Sequence, residues 1–296
     1  MPMSYSKLLI TGCRGQLGSD LVKLLSPSYE IYGIDQEECD ITKHDKLQDH
    51  FKKFNPDLVI HTAAYTDVDG CENNQELAFL VNQTGTENIA KLCREHQASL
   101  IYYSTDYVFD GESKIPYVES DKPNPKTIYG QSKLAGEKVI VKYLDNFAIM
   151  RLAWVYGITG NNFVKTMIRL AKKNSQSNSG KLRVVNDQFG SPSWTEQIVG
   201  QTEVVIENNL KGLFHCTSEG TTTWYDFARL IFKELSLDVK IEQCSSCEYK
   251  RLAPRPHYSV LENGELKKIG LNKMINYDQA LREFIKINME KLLNEM

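Results

Sequence analysis

A phenol and an ammonium stand four residues apart in the stretch Tyr129-Gly130-Gln131-Ser132-Lys133. On a helix that spacing puts both groups on one face. A cation beside a phenol favours the phenolate, so Lys133 is expected to lower a Tyr129 pKa that starts at about 10. The tyrosine then becomes a usable proton donor or acceptor near neutral pH. Both residue types are common, and the pair gains meaning only from a cofactor-binding turn elsewhere in the chain.

Such a turn lies near the N-terminus. Lys7-Leu8-Leu9-Ile10-Thr11 is a short, mostly apolar run, consistent with a buried parallel strand. Gly12-Cys13-Arg14-Gly15-Gln16-Leu17-Gly18 follows at once, then Leu21, Val22, Leu24 and Leu25 at helical spacing. Strand, glycine turn and helix in that order lift the glycine pattern above coincidence. Gly12 can turn sharply, Gly15 lets a pyrophosphate approach the backbone, and Gly18 allows close packing of helix on strand. The helix start offers unpaired N–H groups to the phosphates. A second strand, Tyr29 to Asp35, ends in an acid about 20 residues past the turn, where a carboxylate can hydrogen-bond the adenosine ribose. Asp35 argues for NAD, Arg14 inside the turn argues for NADP, and the choice stays open.

The elements that must position these groups alternate. Strand-like runs at Asp57–Thr62, Ser99–Ser104 and Phe147–Leu152 each follow a helical stretch: Lys46 to Phe54, Gln75 to His96, and the Tyr129/Lys133 helix. This predicts an α/β fold, a Rossmann-type doubly wound parallel sheet with helices on both faces. Ligands in such folds sit beyond the carboxyl ends of the strands. That rule picks out Ala63-Ala64-Tyr65, Thr105-Asp106-Tyr107 and Ala153-Trp154-Val155. Residues 1–160 are expected to form the NAD(P)-binding domain. Residues 161–296 are expected to form mainly a smaller substrate-binding lobe, with some segments returning to the sheet. Within the lobe, helices are expected near 162–174, 195–208, 223–235 and from Tyr277, and a strand at Leu182–Val185. The polar stretch Lys172 to Lys181 reads as an exposed loop, and Asp187 to Trp194 as a loop.

A chain of 296 residues can bury a large core. Its net charge of -3 gives no electrostatic footprint for nucleic acid. No apolar run approaches the roughly 20 residues of a membrane span, and no export signal opens the chain. Met1 to Ser6 reads as a disordered lead-in. Seven scattered cysteines fit reduced thiols and a cytoplasmic protein. Cys244 and Cys247 form a lone CxxC that nothing completes into a metal set, so an exposed, inert loop is expected there.

Longer motifs add a family resemblance. Ser104-Thr105-Asp106-Tyr107-Val108-Phe109-Asp110-Gly111 is followed by Pro116-Tyr117, Glu119, Asp121, Pro123 and Pro125, then by Tyr129 to Glu137. Arg151 to Tyr156, Asn161-Asn162-Phe163, Asp187 to Pro192, Gly220 to Tyr225 and Arg255-Pro256-His257 continue the pattern. Together they closely resemble the dTDP-4-dehydrorhamnose reductases, an extended branch of the short-chain dehydrogenase/reductase superfamily, whose glycine turn often has this G-x-x-G-x-x-G spacing. The resemblance spans nearly the whole chain from Lys7.

The resemblance implies reduction of the C4 ketone of a dTDP-bound 6-deoxy-hexulose, giving dTDP-L-rhamnose, with NADPH or NADH as hydride donor. Tyr129 would donate the proton, Thr105 would add a hydrogen bond, and Lys133 would hold the nicotinamide ribose. Cofactor contacts map onto Gly12, Gly15, Gln16, Leu17, Gly18, Asp35, Asp40, Ile41, Ala63, Ala64, Tyr65 and Tyr103. Sugar-nucleotide contacts map onto Thr105, Asp106, Trp154, Gln188, Phe189 and Arg255. Some family members dimerise through a magnesium ion held by surface acids, and Asp20 and Glu196 fall at comparable places, so a homodimer with Mg2+ is a further implication. Two rivals remain: another nucleotide-sugar epimerase or ketoreductase of the superfamily, and a non-catalytic NADP-binding regulatory subunit. Tyr107 stands where dehydratases typically carry Glu, which counts against dehydration.

Overall fold

Leu8, Leu9 and Ile10 are wholly buried, so the first strand has a protein layer on both faces. That is why it reads as a continuous apolar run rather than an alternating one. The structure is a computed structural model that describes residues 5–177, 181–249 and 251–294.

The first half alternates as expected: β1 (Lys7–Thr11), α1 (Gln16–Leu25), β2 (Glu30–Ile34), α2 (His44–Phe54) and β3 (Leu58–His61). Helices α3 (Val68–Asn73), α4 (Gln75–Phe79) and α5 (Thr86–His96) lead to β4 (Ser99–Thr105), α6 (Ile128–Tyr143) and β5 (Phe147–Leu152). The segment expected as one helix from Gln75 to His96 is interrupted by a π-helical turn at Leu80–Gly85. Such turns often mark functional positions.

The later elements are β6 (Val155–Tyr156), α7 (Phe163–Ser177), β7 (Leu182–Val185), β8 (Phe189–Gly190) and β9 (Ser193–Trp194). They are followed by α8 (Thr195–Glu207), β10 (Gly212–His215), β11 (Thr222–Thr223), α9 (Trp224–Glu234), β12 (Ile241–Cys244), α10 (Gly264–Lys268) and α11 (Tyr277–Asn294). Among the described residues the main sheet runs β10-β5-β4-β3-β1-β2, and every pairing in it is parallel. The strand order reverses between β1 and β3, so the crevice for a ligand opens at Thr11 and His61.

Two layers clamp this sheet. On one face α1 and α8 pack together through Leu17, Leu21, Ile198 and Val205. On the other, α2, α5 and α6 contribute Leu47, Phe51, Ile89, Leu92 and Ile140. A separate core gathers α7, α9 and α11 around Ile168, Phe227, Ile231 and Phe284. The second half of the chain is therefore shared out: α8 and β10 complete the sheet, while α7, α9 and α11 build their own layer.

Three local expectations need correction. Helix α7 continues through Ser177, so the stretch Lys172 to Lys181 is not a loop over its first part; residues 178–180 lie outside the described residues. The segment Asp187 to Trp194 holds two short strands, β8 pairing with β11 and β9 with β6. Of the lead-in, Met1 to Ser4 lie outside the described residues, but Tyr5 and Ser6 are anchored. The Tyr5 hydroxyl donates to Asn209 Oδ1 at 2.6 Å and Ser6 N–H donates to Asp57 Oδ2 at 2.9 Å.

Candidate active site

A cleft of about 980 Å³ runs along the carboxyl ends of β1 to β5, from Asp35 at one end to Trp154 at the other. Its floor is the glycine turn. Gly12 has φ +69°, and a Cβ there would stand 2.8 Å from the Ala63 nitrogen. A Cβ on Gly18 would stand 2.0 Å from the Gly12 carbonyl oxygen, so helix α1 can begin this close to the strand only without one. Gly15 caps α1 with no side chain across its first N–H groups. These donors face the cleft beside Gln16 and Leu17 and suit a dinucleotide pyrophosphate.

Asp35 receives two local backbone bonds. Its Oδ2 accepts from Arg14 N–H at 2.9 Å and its Oδ1 from Gln36 N–H at 2.8 Å. Asp40, Ile41, Ala63, Ala64 and Tyr65 line the same half of the cleft. Tyr65 is fixed by a residue that spacing alone did not reveal. Asn82, in the π-helical turn, accepts from Tyr65 N–H at 2.8 Å and donates to the Tyr65 carbonyl at 3.0 Å and to Ser132 Oγ at 2.9 Å. One buried amide thus ties the cofactor loop to the helix carrying Tyr129.

His61 was also not singled out. It is buried between Thr11 Oγ1 at 2.7 Å and Thr86 Oγ1 at 3.1 Å. Burial, helped by nearby Lys133, pushes its pKa down to about 3, so it is neutral and structural. The alternation around β3 marked its strand but carried no sign of these two hydroxyl partners.

Tyr129, Lys133, Thr105, Asp106, Tyr103 and Trp154 meet in the other half of the cleft. Thr127 caps α6, its side chain accepting from Gly130 N–H at 3.0 Å, and this fixes where the helix begins just before Tyr129. Lys133 Nζ donates to the Tyr103 carbonyl at 2.7 Å and lies 4.0 Å above the Tyr102 ring. Burial pushes the Lys133 pKa down to about 7, with Glu137 opposing.

The expected lowering of the Tyr129 pKa is not found. Burial pushes the phenol well above its ordinary value, and a hydrogen bond with Thr105 pulls only partly back. Desolvation of the phenolate outweighs any help from an ammonium that is itself desolvated and turned to the Tyr103 carbonyl. Tyr129 is therefore a protonated phenol at neutral pH.

Asp106 is buried, and Thr105 Oγ1 donates to its Oδ1 at 2.9 Å. Its Oδ2 makes no hydrogen bond of good geometry, although the Ser259 hydroxyl lies near enough to favour its charge. Burial raises its pKa to about 6 against the pull of the Thr105 bond. Trp154 forms the end wall at φ +49°, stacked on Trp224 with centroids 3.4 Å apart and planes 4° apart. Its Nε1 donates to Ser259 Oγ at 3.1 Å.

Three residues matched to sugar-nucleotide contacts do not line the cleft. Gln188 is buried elsewhere, Phe189 lies against Tyr258 and is 41% exposed, and Arg255 is engaged by Asp69. The Arg255 guanidinium grips that carboxylate with bonds of 3.1 and 2.8 Å. The acids matched to a magnesium site between subunits are both engaged within the chain. Asp20 is a buried acceptor for Thr195 Oγ1, and Glu196 pairs with Lys23 at 3.3 Å. Among the described residues no cluster of His, Cys, Asp and Glu is arranged to hold a metal. Cys244 is buried at the end of β12 rather than in an exposed loop, while Cys247 is exposed. No helix among the described residues is long and apolar enough to cross a membrane.

Residues 6–289 match the family profile described as the RmlD substrate binding domain. A dTDP-4-dehydrorhamnose reductase of Aggregatibacter actinomycetemcomitans is 38% identical over 291 residues, covering 94% of this chain and 97% of that protein. The crystal structure of a dTDP-4-dehydrorhamnose reductase from Clostridium acetobutylicum is similar at a TM-score of 0.92 with 40% identity, covering 96% of this chain and 99% of that one. A dTDP-4-dehydrorhamnose reductase from Bacillus anthracis, solved in complex with NADP, gives the same TM-score at 36% identity, covering 96% of this chain and 100% of that one.

Proposed function

The chain belongs to the dTDP-4-dehydrorhamnose reductase family, and we propose that its cleft reduces the C4 ketone of dTDP-4-dehydrorhamnose to give dTDP-L-rhamnose. The observation that carries this reading is the meeting of Tyr129, Thr105 and Lys133 in the cleft that also holds the glycine turn. A reduced nicotinamide dinucleotide, NADH or NADPH, supplies the hydride when bound there.

The residues of the chain do the rest. Gly15, Gln16 and Leu17 present the start of α1 to the pyrophosphate, and Gly12 and Gly18 keep that approach open. Asp35 accepts from the adenosine ribose hydroxyls, while Asp40, Ile41, Ala63, Ala64 and Tyr65 wall that half. Lys133 and Tyr103 border the nicotinamide ribose, which takes the Lys133 ammonium as donor.

As the ketone is reduced, negative charge grows on its oxygen. Tyr129 donates its proton to that oxygen, and Thr105 adds a hydrogen bond when its hydroxyl turns from Asp106 to the substrate. The high pKa of the buried phenol suits this direction, because it holds the proton in readiness at neutral pH. Asp106 acts on the sugar through the Thr105 hydroxyl it holds, and Trp154, clamped by Trp224, closes the sugar end of the cleft.

Incubating the protein with dTDP-4-dehydrorhamnose and each reduced coenzyme tests the proposal. Loss of the nicotinamide absorbance, with dTDP-L-rhamnose identified by NMR, is the expected result. Protein that binds coenzyme yet turns over no keto-sugar with either one would defeat it.

A further inference from the structure

The adenosine end of the cleft carries one guanidinium among several acids. Arg14 and Lys133 are the Lys and Arg residues lining the cleft, and Lys133 sits at the far end beside Tyr129. The Arg14 side chain is half exposed, but its guanidinium is not free. It pairs with Glu37 at 3.0 Å and with Glu38. Glu38 is held in turn, its Oε2 accepting from Asp35 N–H at 3.0 Å. Arg14 N–H is already committed to Asp35. Two carboxylates therefore hold the guanidinium, while Asp35, the acid placed to meet the adenosine ribose, takes the Arg14 backbone N–H.

We infer that Glu37 and Glu38 set coenzyme choice by occupying Arg14, so that this chain binds NADH in preference to NADPH. The inference rests on the proposal that the cleft takes a nicotinamide dinucleotide. A 2′-phosphate arriving near Asp35 needs Arg14 as its counter-ion. Taking Arg14 away leaves Glu37 and Glu38 unpaired next to a dianion, and like charges at that range oppose binding. The two ion pairs are exposed, and each is weak on its own. Repulsion from the freed carboxylates, rather than the strength of the pairs, is what discriminates. It follows that salt must erode the preference.

Dissociation constants of NADH and NADPH, read from nicotinamide fluorescence without keto-sugar, test this. NADH should bind the unsubstituted protein about tenfold more tightly than NADPH, and the gap should narrow on going from low to high salt. Glu37→Gln with Glu38→Gln should tighten NADPH about tenfold and leave NADH within about twofold. Arg14→Ala alone, which frees both carboxylates, should weaken NADPH more than NADH, and added to the double variant it should abolish the gain. NADPH binding left unchanged by Glu37→Gln with Glu38→Gln would overturn the inference, since the two carboxylates would then not oppose the phosphate. Equal binding of the two coenzymes at low salt would overturn it as well. Failure of both coenzymes to bind would instead defeat the functional proposal beneath it.

Discussion

The Thr105 hydroxyl donates a hydrogen bond to Asp106 Oδ1 at 2.9 Å, so the direction of that bond depends on the charge of a buried carboxyl. Ionised, Asp106 accepts the Thr105 hydrogen bond and leaves the hydroxyl only lone pairs for Tyr129. Protonated, Asp106 can donate instead and free the Thr105 hydrogen for a substrate oxygen. Burial raises the Asp106 pKa to about 6 from an ordinary value near 3.8.

The sign of the stability effect follows. Between about pH 4 and pH 6 the folded protein holds a proton that the unfolded chain has lost, so stability falls as pH rises through this window. Above it the ionised, buried carboxylate costs about 3 kcal/mol, and below pH 4 it costs nothing. Asp106→Asn keeps an acceptor for Thr105 and removes the charge. Denaturation at pH 8 should therefore find the Asp106→Asn variant more stable than the parent, with the difference vanishing near pH 4. An advantage that does not change with pH would refute a titrating Asp106.

Tyr129→Phe removes the proton donor while keeping the ring that packs edge-on against Tyr107, with centroids 5.5 Å apart. General acid catalysis of this kind is worth roughly 10²–10⁴ in rate. Single-turnover reduction should fall by that factor, and the coenzyme dissociation constant should stay within about threefold. Turnover near the parent rate would remove Tyr129 from the chemistry.

The glycine turn and the Tyr129/Lys133 pair were legible because each is local: seven adjacent residues and one helical turn fix their geometry. Asn82 was not, since its meaning lies in a π-helical turn that brings one amide onto Tyr65 and Ser132. The acidity of Tyr129 was misjudged for a related reason. Spacing shows that a lysine is near, whereas burial depends on Thr105, Asp106 and the cleft wall. Arg255 was matched to a sugar-nucleotide contact, and sequence carried no sign of its partner Asp69, 186 residues away.

Gly190 and Trp154 supply a third prediction. A Cβ on Gly190 would stand 2.2 Å from Trp154 Cε2, and Trp154 cannot retreat because Trp224 lies 3.4 Å behind its ring plane. Gly190→Ala should push the indole out of its stack, raising KM for the sugar nucleotide about tenfold or more while leaving coenzyme binding unchanged. An unchanged KM would show that Trp154 does not touch the sugar nucleotide. Gly200→Ala, in α8 with nothing within 4 Å of the added methyl, serves as the contrast. It should stabilise the fold by about 0.5–1 kcal/mol without kinetic effect.

Glu137 and Arg151 test how the catalytic helix is held. Arg151 Nε donates to Glu137 Oε1 at 2.9 Å and its second nitrogen to Oε2 at 2.7 Å, both side chains nearly inaccessible to water. The pair fastens α6, one turn beyond Lys133, to strand β5. Glu137→Gln leaves the Arg151 charge buried without its counter-ion, which costs about 3–5 kcal/mol in comparable settings. It also removes the carboxylate that opposes the burial of Lys133, so the Lys133 pKa should drop below about 7. Urea denaturation should report the stability loss. Coenzyme affinity should weaken as pH rises through about 7 in the parent and at a lower pH in the variant, because a deprotonated Lys133 is a poorer donor to the ribose. Glu137→Asp, which keeps the charge, should restore the pH profile more fully than the stability. If the pH profile of coenzyme binding is the same in the Gln variant and the parent, Glu137 only fastens the helix and does not support the Lys133 charge.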